Sequence, residues 1–335
     1  EDRDKIDFVI TWVDGSDPAW RKEFDIWNGR QTACAPPGGA VDNSGERYRD
    51  WDLLRYWFRG VEKFAPWVNR VHFVTWGHIP GWLDVSNPKL NVVNHRDFIP
   101  GQYLPTFSSC PIELNIHRIE GLADRFVYFN DDMFLLRPVL PGRFFSKGLP
   151  CDLARLSVIQ GRQTSHNMLE CVNVINRRYS KREVIRRNAG KWFSPKYSLQ
   201  DRFKTLTLLP WSFFPGFREH HMPQPFLKGT FEKLWEEEPG VLSDTSEHRF
   251  RQLTDVSQWL MHYEQLASGM FRPHGYRDTA LRRVSEDNAD GIAREIKSGR
   301  YSMICINDNN NLSDIAQAQG KIGTAFMELL PESSS

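Results

Sequence analysis

Asn130-Asp131-Asp132 follows directly on the apolar run Phe126–Phe129, which reads as a buried strand. Two carboxylates and an amide therefore stand at a strand end, the edge where open α/β sheets hold their ligands. Clustered oxygen donors of this kind suit Mg²⁺ or Mn²⁺ beside a phosphate. In a chain with 42 acidic residues, one such pair taken alone reads more simply as a solvated turn. Two further strand ends carry the same chemistry: Asp14-Gly15-Ser16-Asp17 after Ile6–Val13, and Asn307-Asp308-Asn309-Asn310 after Ile304–Ile306. If these strands are parallel neighbours, the clusters meet at one sheet edge, where a divalent ion would offset their mutual repulsion and bind a diphosphate.

Proton transfer needs a base. His221, in His220-His221-Met222-Pro223, is the leading candidate, because an imidazole titrating near pH ~6.5 can take a hydroxyl proton at neutral pH. His117 competes, since Glu113 lies one helical turn before it. The simpler reading of that segment is a salt-bridged surface helix with Arg118 and Glu120. Arg249 and Arg251 follow His248 at an expected helix start, and arginine suits bidentate phosphate binding. Arg49, Arg55 and Arg59 offer the same on an earlier helix, with a solvated face as the alternative. Gly15 and Gly77 permit close backbone approach to a nucleoside. Arg186 and Arg187 lie in a basic run that fits anionic lipid, a polyanionic acceptor or plain solvent.

These groups need a scaffold. Ile6–Val13, 70–76, 90–93, 126–129 and 304–306 read as strands. Residues 31–46 read as an irregular loop. Trp51, Leu54, Phe58 and Val61 recur at helical spacing and predict a helix over 49–64; Pro111 opens another that runs to about Asp124. Strand and helix alternate, so an α/β fold with a mostly parallel central sheet flanked by helices is expected. Residues 176–204 look helical, 209–226 are rich in Pro and Phe, and 246–267 predict a further helix. The expected division is a discontinuous nucleotide-sugar-binding core, 1–149 with 246–335, and a largely helical insertion, 150–245, that contributes acceptor-side residues.

Composition narrows the function. The 335 residues are 40% hydrophobic and 25% charged, ordinary for a globular protein, and the net charge of +1 argues against a nucleic-acid binder driven by bulk electrostatics. Twelve Trp suit carbohydrate or nucleotide surfaces, with an aromatic core as the alternative. No run approaches the ~20 apolar residues of a membrane span, and no secretory signal is visible. The five cysteines are scattered and show no CxxC spacing, which speaks against a structural zinc site and favours a reducing compartment.

Taken together, these segments resemble the Stealth family of sugar-1-phosphate transferases, which includes bacterial capsule enzymes and the α/β subunit of the animal GlcNAc-1-phosphotransferase. The resemblance runs over nearly the whole chain: Ile6–Pro18; Arg49–Tyr56, Val74–Leu83 and Glu113–Gly121 through to Tyr128–Asp132; His221-Met222-Pro223 with His248–Arg251; and Cys305–Asn309 with the tail from Leu330. His78 stands where many members have Gln, and Trp76 where a small or polar residue is common.

The resemblance implies a glycosyltransferase-A-like core and transfer of a hexose-1-phosphate, such as GlcNAc-1-phosphate, from a UDP-sugar to a sugar hydroxyl, with release of UMP. It implies catalytic roles for Glu113, Asp132, His221 and Arg251. A metal, Mg²⁺ or Mn²⁺, is expected on Asp132 with Asp131 or Asn130, and Asp308. Donor contacts are expected from Asp14, Gly15, Ser16, Asp17, Arg49, Arg55, Gly77 and His117. The acceptor is expected to be a glycan or lipid-linked oligosaccharide at the inner face of a bacterial plasma membrane, with peripheral membrane association and no nucleic acid. A Golgi-lumen origin is the second choice. Two rival readings use the same residues: a metal-dependent glycosyltransferase that moves the hexose itself and releases UDP, and a non-catalytic carbohydrate-binding module.

Overall fold

A computed structural model describes residues 5–34, 51–161, 165–285, 287–308 and 315–331. Arg49, Asn309 and Asn310 lie outside the described residues. In chain order the strands are β1 (Asp7–Thr11), β2 (Val71–Thr75), β3 (Leu90–Asn94), β4 (Arg125–Asn130), β5 (Met133–Leu135), β6 (Phe145–Ser146), β7 (Leu149–Asp152), β8 (Gln224–Leu227), β9 (Arg272–Pro273), β10 (Thr279–Arg283) and β11 (Met303–Asn307).

The fold is mixed α/β, with a mostly parallel central sheet flanked by helices. That sheet has the order β3-β2-β1-β4-β8. β1 runs parallel to both β2 and β4, with Thr11 opposite Asn130, so the Asp14 and Asp132 clusters emerge at the same edge. Only β8 is antiparallel. Both faces of β1 are covered, as its unbroken apolar run requires. Phe8 and Ile10 enter one core with Phe129 and Trp57; Val9 points into the other, with Tyr128 and Leu260. A strand's two-residue side-chain period produces this split.

The third acidic strand end arrives by a different route from the one expected. β11 is not in the central sheet. β4 turns at Asn130–Asp132 into β5, and β5 pairs antiparallel with β11 in a separate sheet ordered β10-β11-β5. The backbone N–H of Ile306 donates to the Asp132 carbonyl at 2.8 Å, which brings Asn307 beside Asp132 although β11 is no strand of the central sheet.

Several helix boundaries differ from expectation. The helix predicted over 49–64 runs Leu54–Phe64, because Asp52 takes a left-handed conformation at φ 53° that a helix cannot include. The helix expected from Pro111 is Ser109–Asn115, begun by the Ser108 cap, and it tightens into a 3₁₀ turn at Ile116–Arg118. It stops there because Gly121 turns at φ 74° and Asp7 Oδ2 accepts the Ala123 N–H at 2.9 Å, drawing the chain into β4. The span 246–267 holds a loop between helices Pro239–Glu247 and Trp259–Ser268. Buried Asp255 fastens that loop, accepting from His248 Nδ1 at 2.7 Å and from the Gln252 N–H at 2.8 Å.

Helix Pro18–Cys34 was not anticipated, although its start was readable: Asp17 caps it by accepting the Trp20 N–H at 2.8 Å, and Pro18 takes the first position. The segment 150–245 is mostly helical, yet it also supplies β8 to the central sheet. Among the described residues no helix is long and apolar enough to cross a membrane.

Candidate active site

Asp132 is the hub. Its Oδ2 lies 3.3 Å from His221 Nε2, accepts the Cys305 thiol at 3.2 Å and accepts Asn307 Nδ2 at 3.4 Å. Three distant segments therefore meet on one oxygen. Cys305 and Asn307 are two apart on β11 and so share a face. His221 reaches the hub because the chain before it is held as an arm: Arg218 N–H donates to the Arg155 carbonyl at 2.8 Å, and Leu156 bridges Phe217. Next in the chain, Met222 is buried and β8 pairs with β4.

The charges around His221 are informative. Burial pulls its imidazole down, but the hydrogen bond and charge of Asp132, with Glu113 and Glu219 behind it, more than offset this, and the ring titrates above its ordinary value. Burial and Asp132 push the Cys305 thiol far up, so it acts as a donor to the carboxylate. Burial also raises Glu219, to about 7, while its Oε1 accepts from Tyr263 at 2.8 Å.

A second constellation stands on helix Ser109–Asn115. Glu113 is buried, which raises its carboxyl; Arg251, the Gln258 backbone, Ser109 and Tyr128 work against that rise. Arg251 Nη2 donates to Ser109 Oγ at 3.1 Å. The Tyr128 hydroxyl lies 3.3 Å from Glu113 Oε1 and 3.0 Å from Thr11 Oγ1, joining β1, β4 and this helix. Arg251 is held from behind: Phe250 packs with Trp20, Phe24 and Phe107, and the Arg249 guanidinium lies 4.3 Å from the Trp27 ring centroid. Glu113 is also close enough for its charge to act on His221.

The described residues expected to hold the donor stand in four places. Asp14 and Asp17 shape a turn: Asp14 Oδ1 accepts from the Ser16 N–H at 2.8 Å and its hydroxyl at 2.6 Å, and the Gly15 carbonyl accepts Arg21 Nε at 2.7 Å. His78 Nε2 accepts the Asp14 N–H at 2.7 Å, which ties the β1 and β2 ends together. Gly77 takes φ +136°, and a Cβ there would come 2.7 Å from Asn94 Nδ2, so glycine is required by the packing itself. Arg55 pairs with Asp52 at 2.7 Å and lies over the Trp82 ring at 5.8 Å. His117 sits apart, buried beside the Phe231 and Trp235 rings; burial, then Arg118, depress it to about 3. The salt-bridged surface helix suggested for its segment is not what forms.

Asp132 Oδ1 is buried and has no protein partner, the mark of a carboxylate prepared for a cation. Asp132, His221 and Cys305 offer ligand atoms all within 4.8 Å of one another. Exposed Asp131 adds charge felt by Tyr128 and Cys305, Asn130 ends β4, and Asp308 directly follows β11. These donors fit a divalent metal. The carboxylate and amide oxygens among them are ligands of the kind hard divalent ions take.

Cys305, Glu219 and Tyr128 were not singled out from sequence. Two of them carried a signal: Cys305 is two residues before Asn307 on one strand, and Glu219 two residues before His221. Among the described residues Cys110, Cys151, Cys171 and Cys305 are free and buried.

Comparison with known proteins agrees over the full length. "Stealth protein CR1, conserved region 1" matches residues 4–29, and "Stealth protein CR2, conserved region 2" matches residues 47–151. The receptor polysaccharide phosphotransferase WefC of Streptococcus gordonii is 42% identical over 99% of this chain and 98% of its own. A capsular polysaccharide phosphotransferase, WcwK, of Streptococcus pneumoniae is 37% identical over 99% of this chain and 98% of its own. Among solved structures, the galactosyltransferase LgtC with donor and acceptor sugar analogs aligns over 98% of this chain and 96% of its own, at 11% identity and a TM-score of 0.40, a likeness that decides nothing about the reaction. Both conserved regions and the full-length relatives point the same way: the chain belongs to the Stealth family.

Proposed function

We propose that this enzyme transfers a hexose-1-phosphate from a UDP-sugar to a sugar hydroxyl, building a phosphodiester-linked capsular or cell-surface polysaccharide. The acceptor oxygen attacks the sugar-bearing phosphorus. A new O–P bond forms, the bond from that phosphorus to the bridging oxygen breaks, and UMP leaves carrying the bridging oxygen. The bond from the anomeric carbon to oxygen stays intact, so the sugar keeps its configuration.

The observation that carries this reading is the meeting of His221 with Asp132, whose second oxygen is buried and unpartnered. With Nε2 donating to Asp132, His221 takes the hydroxyl proton at Nδ1, and the neighbouring carboxylates stabilise the imidazolium that results. Arg251, steadied by Ser109, directs its guanidinium at the phosphoryl oxygens, where charge accumulates. Glu113 holds Arg251 by charge and orients the acceptor side. Mg²⁺ or Mn²⁺, when bound by Asp132 with Asp131 or Asn130, and Asp308, would neutralise the diphosphate. The turn Asp14–Asp17, with Gly77 and Arg55, frames the nucleotide side, and segment 150–245 frames the acceptor side. We place the enzyme in the bacterial cytoplasm at the inner face of the plasma membrane, acting on a glycan or lipid-linked oligosaccharide.

The test is product analysis. Incubation with a panel of UDP-hexoses, Mg²⁺ and an acceptor glycan should release UMP and give a phosphodiester signal in phosphorus NMR of the product. Release of UDP with a phosphorus-free product would mean glycosyl transfer and would end this reading.

A further inference from the structure

One helix is built inside out. Leu199–Thr207 buries only Thr205. It is fastened to the protein by its polar residues: Asp201 pairs with Arg155 at 2.9 Å, and Thr205 Oγ1 accepts the Leu156 N–H at 3.2 Å. At 3.6 residues per turn, Leu199, Phe203 and Leu206 fall on the opposite face. The loop that follows adds Trp211 and Phe213. All five large apolar side chains are at least half exposed, from 50% for Trp211 to 76% for Leu199. A lone exposed leucine is ordinary, but five large apolar side chains exposed within fifteen residues, three of them aromatic, form a patch.

The charge beside the patch selects its partner. Residues 177–204 carry ten Lys and Arg against two acids, Glu183 and Asp201, in a chain whose net charge is only +1. Helix Lys181–Arg187 is bound to the patch at its first residue, where Lys181 Nζ donates to the Leu208 carbonyl at 2.7 Å and the Leu209 carbonyl at 3.0 Å. Arg182 and Arg186 are four apart on that helix and exposed, and Lys204 is exposed beside Phe203. Apolar side chains rimmed by cations are complementary to a bilayer that presents acyl chains beneath anionic headgroups.

We infer that the face formed by Leu199, Phe203, Leu206, Trp211 and Phe213, flanked by Arg182, Arg186 and Lys204, docks the enzyme onto an anionic lipid surface. The inference deepens the proposed site of action, and it says which side meets the membrane. Its position also bears on the reaction. Arg155 and Leu156, to which the helix is fastened, pair with Phe217 and Arg218 on the arm that carries His221. A lipid-borne acceptor seated on this face is therefore beside the catalytic arm.

The test is co-sedimentation of the full chain, without nucleotide, with vesicles of phosphatidylcholine alone and of equal parts phosphatidylcholine and phosphatidylglycerol. The protein should bind the anionic vesicles, about tenfold more tightly than the neutral ones, and lose that preference in high salt. The variant Phe203→Ser/Trp211→Ser/Phe213→Ser should bind anionic vesicles about tenfold less, or weaker still, and keep wild-type turnover of a water-soluble acceptor. The variant Arg182→Glu/Arg186→Glu/Lys204→Glu should lose the anionic preference. Three results would overturn the inference: no vesicle binding by the wild-type chain, undiminished binding by either variant, or a wild-type dimer that the serine variant converts to monomer, which would assign the face to a second copy. Because no donor or acceptor is present, the outcome is independent of whether UMP is the product.

Discussion

Two histidines that compete as bases in the sequence, His221 leading and His117 second, occupy opposite environments. His221 lies 3.3 Å from a carboxylate oxygen, is half-buried, and titrates above its ordinary value. His117 lies against Phe231 and Trp235 and is held neutral down to about 3. The same side chain thus faces a carboxylate in one place and is a piece of aromatic packing in the other. Spacing alone favoured neither: the Glu113–His117 interval of one helical turn loses its meaning once the helix tightens at Ile116. What separates them is the solvent and charge each ring meets, which is a tertiary property.

The sharpest way to break this contrast is substitution at the hub. Asp132→Ala and His221→Ala should each lower kcat/KM by about 10³-fold or more, measured as UMP release from UDP-sugar. His117→Phe should leave kcat/KM close to wild type; a loss as large as that of His221→Ala would reverse the assignment. The same variant should be less acid-sensitive. Between pH ~6.5 and about 3 the unfolded chain binds a proton at His117 that the folded chain refuses, so stability falls with pH through that window. Urea titrations at several pH values would show whether the phenylalanine variant escapes part of this fall.

Arg251→Lys comes next. It keeps the charge but loses the planar fork, and a loss of about 10²-fold in kcat with little change in KM is expected. An equal loss at Arg249, which is spent on Trp27 and the Leu104 carbonyl, would blur the distinction between the two arginines.

A third histidine sharpens the comparison by showing what carboxylate contact means without access. His72 Nε2 lies 3.0 Å from Asp7 Oδ2, and both side chains are fully buried. Burial works to raise the Asp7 carboxyl, but bonds from His72, Asn69 and Ala123 win, so it titrates below its ordinary value. Its contribution to stability is present above the usual carboxylate range near pH ~4 and lost as pH falls through the lowered value. Asp7→Ala should cost about 3 kcal/mol of folding stability by urea denaturation, with catalysis by the folded fraction unchanged.

The smallest expected effect is at Glu219. Its charge helps raise His221, so Glu219→Gln should move the acid limb of the kcat/KM profile to lower pH by roughly a few tenths of a unit. A shift in the opposite direction would mean that Glu219 acts on another group.

Much of the frame was readable because it depends on local pattern. The apolar runs at 6–13, 70–76, 90–93, 126–129 and 304–306 each hold a strand; continuous burial on two faces leaves little other choice for four of them, and β3 is a half-buried edge strand. The acidic ends of β1 and β4 do meet at one edge. Where the reading failed, a distant contact had overruled local propensity. The helix expected to reach Asp124 is cut short where Asp7 takes up Ala123. The helix expected through 246–267 opens into a loop because Asp255 draws in His248 and Gln252. The two basic helices of 181–187 and 199–207 were visible as a charged helical stretch, but nothing local said that the second would turn its leucines and phenylalanine outward.

By itself the sequence determined which chemistry was available: oxygen donors at strand ends, two candidate imidazoles and arginines able to fork onto phosphate, in a chain able to bury a parallel sheet. Those follow from residue type and short-range periodicity. Only the tertiary structure decided which of them act together, because a carboxylate, an imidazole and a thiol from positions 132, 221 and 305 come into contact through sheet pairing and packing that no short window encodes. The protonation of each group is set there as well, since it depends on burial and on charges far away along the chain.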